Sequence, residues 1–492
     1  MDLKIFRRFH IPRSAFISLV LLLTGVMLLA ACDQIQLFTP ISVPDQATET
    51  PALSSTAPAA HTPTPAASPT PEIPPAPTLE VDPSALQGRT VRFWHSWSPP
   101  LQERLNALVE TFNAENEWGI QVQAVYQDNL DEAVRSAENA GALDLASAEP
   151  FQVQSWRDAR ELADLNTYAL DPNFGFSGEE QEDFYPVFWE QGLLSGGKER
   201  FSLPALPNGA VLYYNKSWAQ ELGFGQPPST IEEFREQACA ANRSLYSDED
   251  PANDALGGYI LTSDYSPLLG WIAAFGGSVA PDESGYDFNT PEVESAFTFL
   301  RELYDAGCAW VLDEGHTPEG SFAVRQGLFS AGSVTGVRYQ QEALTREQNE
   351  DEWTVIPFPA AESGSPGISI FGPVVVLFSS TTEQETAGWL FIKWLLSPAN
   401  HAQLVQAGGS LPVRATEMAL LEGSMPAAWQ EAARLAPLGQ NEPHLASWET
   451  VRWAVFDAGT QLFRYYFTLP QVPALVELLD ETAADIHEGI DE

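Results

Sequence analysis

The stretch from Pro40 to Pro83 restricts where this chain can fold, because proline, threonine, alanine and serine dominate it. The chain carries no lysine or arginine between Arg13 and Arg89, and the few large apolar residues within 40–83 are isolated. Such a composition cannot bury enough apolar surface to form a core, and it samples an extended polyproline II conformation of about 3.1 Å per residue. We therefore expect residues 32–88 to form a flexible tether and the folded part to begin near Arg89. A ligand for proline-reading domains is the alternative interpretation.

The first 31 residues have the pattern of a targeting segment. The basic residues come first: Lys4, Arg7, Arg8 and Arg13. An apolar run from Ala15 to Ala31 follows, and the small residues before Cys32 suit a signal peptidase. This ending resembles the lipobox of bacterial lipoproteins, which implies cleavage before Cys32 and a lipid on its thiol. A plain membrane-spanning anchor, in which Cys32 has no role, is the alternative.

The charge of the chain excludes one large class of partner. With 24 basic and 67 acidic residues the formal net charge is −43, which is far too negative for a protein that must neutralise nucleic-acid phosphates. Hydrophobic residues make up 44% and aromatic residues 11% of the chain, which is enough to build sizeable cores. At this length we expect more than one domain.

Strand and helix patterns alternate after Arg89. The expected elements are a strand at 90–94, a helix over 101–112, a strand at 120–126, a helix over 129–140 and a strand at 144–146. This alternation predicts an α/β fold with a parallel sheet covered by helices. Ligands of such sheets bind at the carboxyl ends of the strands. His95, Ser96 and Trp97, together with residues 147–151, should therefore lie at one rim.

The folded part also contains a series of short segments in a fixed order. They are FWHSW at 93–97, LP at 203–204, VLYYNK at 211–216, PSTIEEF at 228–234, AFGG at 274–277, IPFP at 356–359, LPVR at 411–414 and WETVRWA at 448–454. In this order they resemble the extracellular solute-binding proteins of family 1. These are the sugar-binding, maltose-binding-protein-like lipoproteins of ABC transporters. Ile231 stands where the family often has tryptophan, a difference that concerns a packing position.

The resemblance implies a two-lobed fold of the periplasmic-binding-protein type. Each lobe would be a mostly parallel sheet flanked by helices, and hinge crossings would join the lobes so that they close on a solute. We place the crossings at 210–214 and 370–374. The implied lobes are 89–210 plus 375–414 for lobe 1 and 211–374 plus 415–492 for lobe 2.

Cys239 and Cys308 lie on helices that the resemblance places in the same lobe. The remaining cysteine, Cys32, is the expected lipidation site. In an exported protein a disulfide between the other two is the economical interpretation, and two buried free thiols are the alternative. Redox catalysis is not expected, because there is no C-x-x-C motif.

Sugars present apolar C–H faces rimmed by hydroxyl groups, so aromatic and scattered polar side chains should form the site. The candidates in the segments expected at the cleft are Trp97, Phe151, Trp271 and Trp448, with His95, Ser96, Glu149 and Arg338 as polar partners. Trp448 is the leading candidate, because its surroundings resemble a place where the family stacks a tryptophan on its sugar. Arg338 would suit a carboxylate or phosphate on the ligand. Core packing is the alternative role of each aromatic residue.

No enzyme signature is complete. Residues 192–199 approach a P-loop but end in Gly197-Lys198-Glu199 without the magnesium-binding hydroxyl, and neither H-E-x-x-H nor G-x-S-x-G occurs. The sequence thus predicts a lipid-anchored carbohydrate-binding protein on the extracellular or periplasmic face of a membrane. It would act as a monomer without cofactor or metal and deliver its solute to ABC transporter permease subunits. The alternatives are a surface carbohydrate-active hydrolase and a binding protein for a polyol or glycerol phosphate ester.

Overall fold

The computed structural model describes residues 78–491 apart from 138–141, 194–198, 283 and 313–314. The predicted signal segment, the predicted lipidation site Cys32, most of the predicted tether and the middle of the P-loop-like segment lie outside the described residues. Within these residues no helix has both the length and the apolar character that a membrane crossing requires.

The strands are short and are distributed along the whole described chain. They are β1 Thr90–His95, β2 Gln121–Tyr126, β3 Leu145–Ala148, β4 Leu203–Pro204, β5 Asn208–Asn215, β6 Tyr259–Leu261, β7 Ala309–Val311, β8 Phe329–Ser333, β9 Trp353–Ile356, β10 Ile368–Phe371, β11 Val374–Leu377 and β12 Gly439–Asn441.

Helices separate most of these strands. They are α1 Pro99–Glu115, α2 Leu130–Ser136, α3 Gln152–Ala159, α4 Asn166–Ala169, α5 Gly178–Glu182, α6 Pro186–Gln191, α7 Lys216–Glu221, α8 Ile231–Tyr246, α9 Tyr265–Ala274, α10 Pro291–Asp305, α11 Pro318–Ala323, α12 Val337–Arg346, α13 Thr382–Leu395, α14 Pro398–Gly408, α15 Ala415–Leu421, α16 Ala427–Arg434, α17 Trp448–Leu462 and α18 Val472–Asp491. Short 3-10 helices occur at Pro83–Leu86, Ala436–Leu438 and Leu469–Gln471.

The strands form two mixed sheets, and the expected α/β class with helix-flanked sheets is confirmed. The first sheet has the order β2-β1-β3-β11-β4, and the second has the order β12-β10-β5-β8-β6-β7, with β9 also paired to β5. Strand β1 is parallel to β2 and β3, and β6 is parallel to β7 and β8. The antiparallel pairs involve β5 and β11, which lie next to the passages of the chain from one sheet to the other.

The chain changes sheet three times, so each sheet is built from discontinuous segments. The changes fall between β4 and β5, between β10 and β11, and between β11 and β12. The second is the expected bend at Gly372-Pro373. Gly372 has a φ of 109°, and a Cβ there would lie 2.7 Å from the carbonyl oxygen of Leu206, so only glycine fits. The first change precedes the predicted 210–214, because those residues already pair with β8 inside the second sheet.

Residues before Arg89 are part of the folded body. Asp82 caps the turn Pro83–Leu86 by accepting a hydrogen bond from the Ser84 N–H, and Leu86 is fully buried. The backbone N–H of Leu79 donates to a carboxylate oxygen of Asp171 at 2.7 Å. The folded part therefore begins before the predicted Arg89, because isolated leucines in a proline-rich segment can still pack against the core.

The second sheet has its own apolar core, which α8 and α10 help to cover. Helix α8 begins after Thr230, whose side chain accepts a hydrogen bond from the backbone N–H of Glu233 and so caps the helix. A disulfide joins Cys239 on α8 to Cys308, with the two Cα atoms 4.3 Å apart. This is the pairing that the sequence analysis expects, and it ties α8 to the segment between α10 and β7.

Candidate functional site

A cavity with a volume of about 600 Å³ lies among the described residues and is called here the main cavity. The carboxyl ends of β1, β2 and β3 form one wall, where parallel strands usually hold ligands. The segments that join the two sheets form another wall. The lining includes Ser96, Trp97, Asp128, Asn129, Asp131, Ser147, Glu149, Asn208, Thr335, Phe371, Gly372, Ser410 and Glu449.

Ser96 and Trp97 reach the main cavity from the end of β1, whereas His95 lies beneath them. The indole N–H of Trp97 donates to the Ser147 hydroxyl at 2.8 Å, which fixes the ring between two strand ends. The Trp97 backbone N–H donates to Nδ1 of His95 at 3.3 Å, and Nε2 of His95 has no partner among the described residues. Burial lowers the pKa of His95 to about 4, so this side chain is a neutral support of the wall.

Glu149 and Phe151 follow β3 and meet a side chain from the second half of the molecule. Glu149 lines the main cavity and also a small cavity of about 40 Å³. Burial raises the pKa of Glu149, and the Arg452 guanidinium partly offsets the rise. That guanidinium lies 4.7 Å from the centre of the Phe151 ring, a cation–π contact between α17 and the segment after β3.

Trp448, the first residue of α17, also lines the small cavity, but its ring is only 1% exposed. Its indole N–H donates to Glu442 at 3.3 Å, and its ring packs edge-on against Tyr265 at 6.1 Å. Burial raises the pKa of Glu442 to about 7, and the neighbouring Glu149 carboxylate raises it further. Hydrogen bonds from Ser266, Trp448 and Ser369 favour the carboxylate and offset part of this rise. Trp448 is thus held as part of the wall, with little ring surface left for a ligand.

The structure does not bring Trp271 and Arg338 to these cavities. Trp271 is 1% exposed in the core of the second sheet, where its ring lies 5.0 Å from Phe234 and 5.2 Å from Phe358. Every residue of α9 after Tyr265 is buried, so the position of an aromatic residue on this helix does not indicate a ligand. The guanidinium of Arg338 instead lies over the ring of its neighbour Tyr339, at 4.6 Å, and donates to the Tyr339 hydroxyl.

Several lining residues were not anticipated from the sequence. Asp128, Asn129 and Asp131 follow β2, and the rule that ligands meet the ends of parallel strands would have selected them. Asn208 and Thr335 come together only because β5 pairs with β8, and the Asn208 amide donates to the Thr335 hydroxyl at 2.9 Å. No local sequence pattern indicates such a pair.

The main cavity has a negative wall. Asp128, Asp131, Glu149 and Glu449 line it, and the described lining residues include no lysine or arginine. Asp131 is neutralised by an ion pair with Arg135 at 2.8 Å. The arrangement can accept hydrogen bonds from hydroxyl or amino groups and repels anions. Across the described part of the chain no cluster of three histidine, cysteine or acidic residues is arranged to hold a metal ion.

Comparisons with known proteins agree with this architecture. A family model described as "Bacterial extracellular solute-binding protein" matches residues 107–437. No curated protein sequence matches the chain.

Solved structures of similar fold come from several bacteria. The cyclic alpha-maltosyl-1,6-maltose binding protein of Arthrobacter globiformis has a TM-score of 0.67 at 20% identity, over 81% of this chain and 99% of that one. The sugar-binding protein MalE of Xanthomonas citri has a TM-score of 0.69 at 19% identity, over 82% and 98%. The GacH receptor of Streptomyces glaucescens, solved unliganded and with acarbose, has a TM-score of 0.60 at 15% identity, over 80% and 98%. These identities support a shared fold.

Proposed function

The chain belongs to the family of bacterial extracellular solute-binding proteins, and from that premise we propose that it captures a neutral carbohydrate in the main cavity. It then delivers this sugar or oligosaccharide to the permease subunits of an ABC importer. The protein acts as a monomer that binds without transforming its ligand. It uses no cofactor, and a lipid on Cys32 holds it to the outer face of the membrane.

The lining of the main cavity is the observation that carries this proposal. Hydroxyl groups of Ser96, Ser147 and Thr335 and the amide of Asn208 face the same space as the indole of Trp97 and the carboxylate of Glu149. Sugar hydroxyls both donate and accept hydrogen bonds, so neutral hydroxyls, amides and carboxylates together suit them. The absence of lysine and arginine from the described lining disfavours a phosphate ester.

The three similar structures support the same ligand class, since each of those proteins is named for a saccharide or was solved with one. The hinge geometry supports capture by closure. We assign lobe 1 to 79–207 plus 374–414 and lobe 2 to 208–373 plus 415–492, so that β5 and β11 each lie wholly in one lobe. The tether is then residues 32–78. The contact between Arg452 and Phe151 would then hold the lobes together on the closed side.

We expect a thermal-shift screen of the mature chain to identify the ligand. Neutral saccharides and polyols should include compounds that raise the melting temperature, because a ligand at 100 times its Kd adds about 2.7 kcal/mol to the free energy of unfolding. Sugar phosphates serve as matched anionic controls and should have no effect. A panel in which only the phosphates stabilise the protein would contradict the proposed neutral ligand.

A carbohydrate-active hydrolase is the second candidate, and one observation favours it. Glu442 and Glu149 line the same small cavity, and a carboxyl group with a pKa of about 7 is suited to act as a general acid. The volume of about 40 Å³ argues against it, because that space is too small for a sugar ring. An oligosaccharide that stabilises the protein should be recovered intact after prolonged incubation, whereas shortened products would establish hydrolysis.

Lipid anchoring is tested by the variant Cys32→Ser. We expect wild-type protein expressed in a bacterium to partition into the detergent phase of a detergent extraction, and the variant to persist as an unlipidated precursor. The thiol is the only site that a diacylglyceryl group would have near the predicted cleavage point. Recovery of mature wild-type protein in the aqueous phase would contradict the anchor.

A further inference from the structure

Gln191, at the end of α6, is a buried amide without hydrogen bonds. The side chain is 6% exposed, and neither its carbonyl oxygen nor its amide nitrogen has a hydrogen-bond partner among the described residues. A buried polar group without a hydrogen-bond partner lowers the free energy of unfolding by about 1 to 3 kcal/mol, and native proteins rarely contain one. A buried glutamine with both ends unpaired therefore points to a molecule that completes it.

Two cavities outside the main cavity meet at this side chain. One has a volume of about 150 Å³ and is bounded by α6, α9 and the segment from Gln440 to His444. The other has a volume of about 210 Å³ and is bounded by α3, residues 191–193 and Leu445. Gln191 and His444 line both, so we call the pair the Gln191 crevice.

A second polar atom in the crevice also lacks a partner. The side-chain nitrogen of Asn441 donates to the carbonyl oxygen of Val187 at 2.9 Å, but its side-chain oxygen accepts nothing. Asn441 lies on β12 and Gln191 on α6, so the unsatisfied groups come from two separate elements and line one space. A ligand there must donate hydrogen bonds to two amide oxygens and accept one from the Gln191 nitrogen.

The remaining lining narrows the ligand class. Among the polar lining residues, neutral amides and hydroxyls are the most numerous: Gln154, Gln440, Ser202, Ser278 and Ser369. The charged lining residues are Glu190 and Glu442 in the first cavity and Arg157 in the second. Hydroxyl groups donate and accept at once, whereas an apolar molecule would leave the amides unpaired. The volumes have room for one sugar ring or a short polyol. The small cavity lies between this space and the main cavity, because it shares Glu442 with the first and Glu149 with the second.

We propose that the Gln191 crevice is a second binding site, separate from the main cavity, for a small neutral polyhydroxyl compound such as a monosaccharide or linear polyol. Gln191 supplies a donor and an acceptor, and Asn441 supplies a further acceptor. The site goes beyond the proposed function and does not require it, because the main cavity has its own lining.

Calorimetric titration of the mature chain with glycerol, sorbitol and D-glucose, each separately, tests the site. With at least one of these probes, Gln191→Leu should weaken one binding event about tenfold or more, the size expected from the loss of two neutral hydrogen bonds. It should also leave the melting temperature of the ligand-free protein unchanged or higher, because it removes an unpaired buried amide. Gln191→Asn keeps an amide at this place and should retain part of the affinity.

Two further variants serve as controls for binding at the Gln191 crevice. Gln340 is also buried and also has an unpaired side-chain oxygen, but it lines neither cavity of the crevice, so Gln340→Leu should leave binding unchanged. Trp97→Ala alters the main cavity and should spare the event that depends on Gln191. If all three probes bind Gln191→Leu and Gln191→Asn as they bind the wild type, the amide meets only water and the proposal is wrong. Failure of the proposed function would appear instead as insensitivity of all sugar binding to Trp97→Ala.

Discussion

Replacement of Trp448 by alanine is expected to lower the free energy of unfolding by about 3 to 5 kcal/mol, the range for deleting a buried tryptophan. The ring is 1% exposed, packs against Tyr265 and Tyr286, and donates a hydrogen bond to Glu442. Its loss therefore creates a cavity and removes a donor from a carboxyl group that is already costly to bury. Chemical denaturation of the wild type and of Trp448→Ala measures the difference.

Trp453 provides the matched control on the same helix. It is 53% exposed, so Trp453→Ala should change the free energy of unfolding by less than about 0.5 kcal/mol. Affinity for a stabilising saccharide should be measured on the same samples. A Trp448→Ala protein with wild-type stability and strongly reduced affinity would show that the ring stacks on the ligand, as the sequence resemblance implies.

The disulfide should contribute nearly as much to the free energy of unfolding as the Trp448 side chain. Changing Cys239 and Cys308 together to alanine is expected to cost roughly 3 to 4 kcal/mol, because the cross-link joins positions 69 residues apart and restricts the unfolded chain. Alanine is preferred to serine because Cys308 is 4% exposed and a hydroxyl group there would lack partners.

Reduction of the wild type supplies the control. A reductant should lower wild-type stability by the same amount and leave the double variant unchanged, since the variant has no bond to reduce. Mass mapping of a non-reduced digest of the exported protein gives an independent readout. Alkylation of both thiols in that digest would show that the bond does not form.

The first sheet could be predicted largely from the sequence, and the second could not. Strands β1 to β3 alternate with α1 and α2 at close range, so local apolar spacing and proline signals are sufficient. Strand β5 instead pairs with β8, β9 and β10, which follow it by more than one hundred residues. Pairing at such separation is decided by the packing of the whole molecule, which no local pattern contains.

The same distinction holds for the candidate site. Ser96, Trp97 and Glu149 were identified because they follow strands of one parallel sheet. Trp271 lies on a helix that is buried all round, where periodicity cannot separate a ligand contact from a core contact. Gln191 has no signature at all in sequence, because its significance comes from the hydrogen bonds it lacks.

The position of β11 in the first sheet affects the order in which the chain folds. This strand lies between β3 and β4 in the first sheet, yet it follows β4 by some 170 residues. Until Val374–Leu377 is in place, β3 and β4 have no common neighbour, and the edge strand β4 is not joined to the rest of the sheet. Contacts between residues this far apart in sequence form late and reduce the rate of folding. Completion of the first sheet must therefore await synthesis of most of the chain, and an amino-terminal fragment that ends before β11 should remain unfolded and sensitive to proteases.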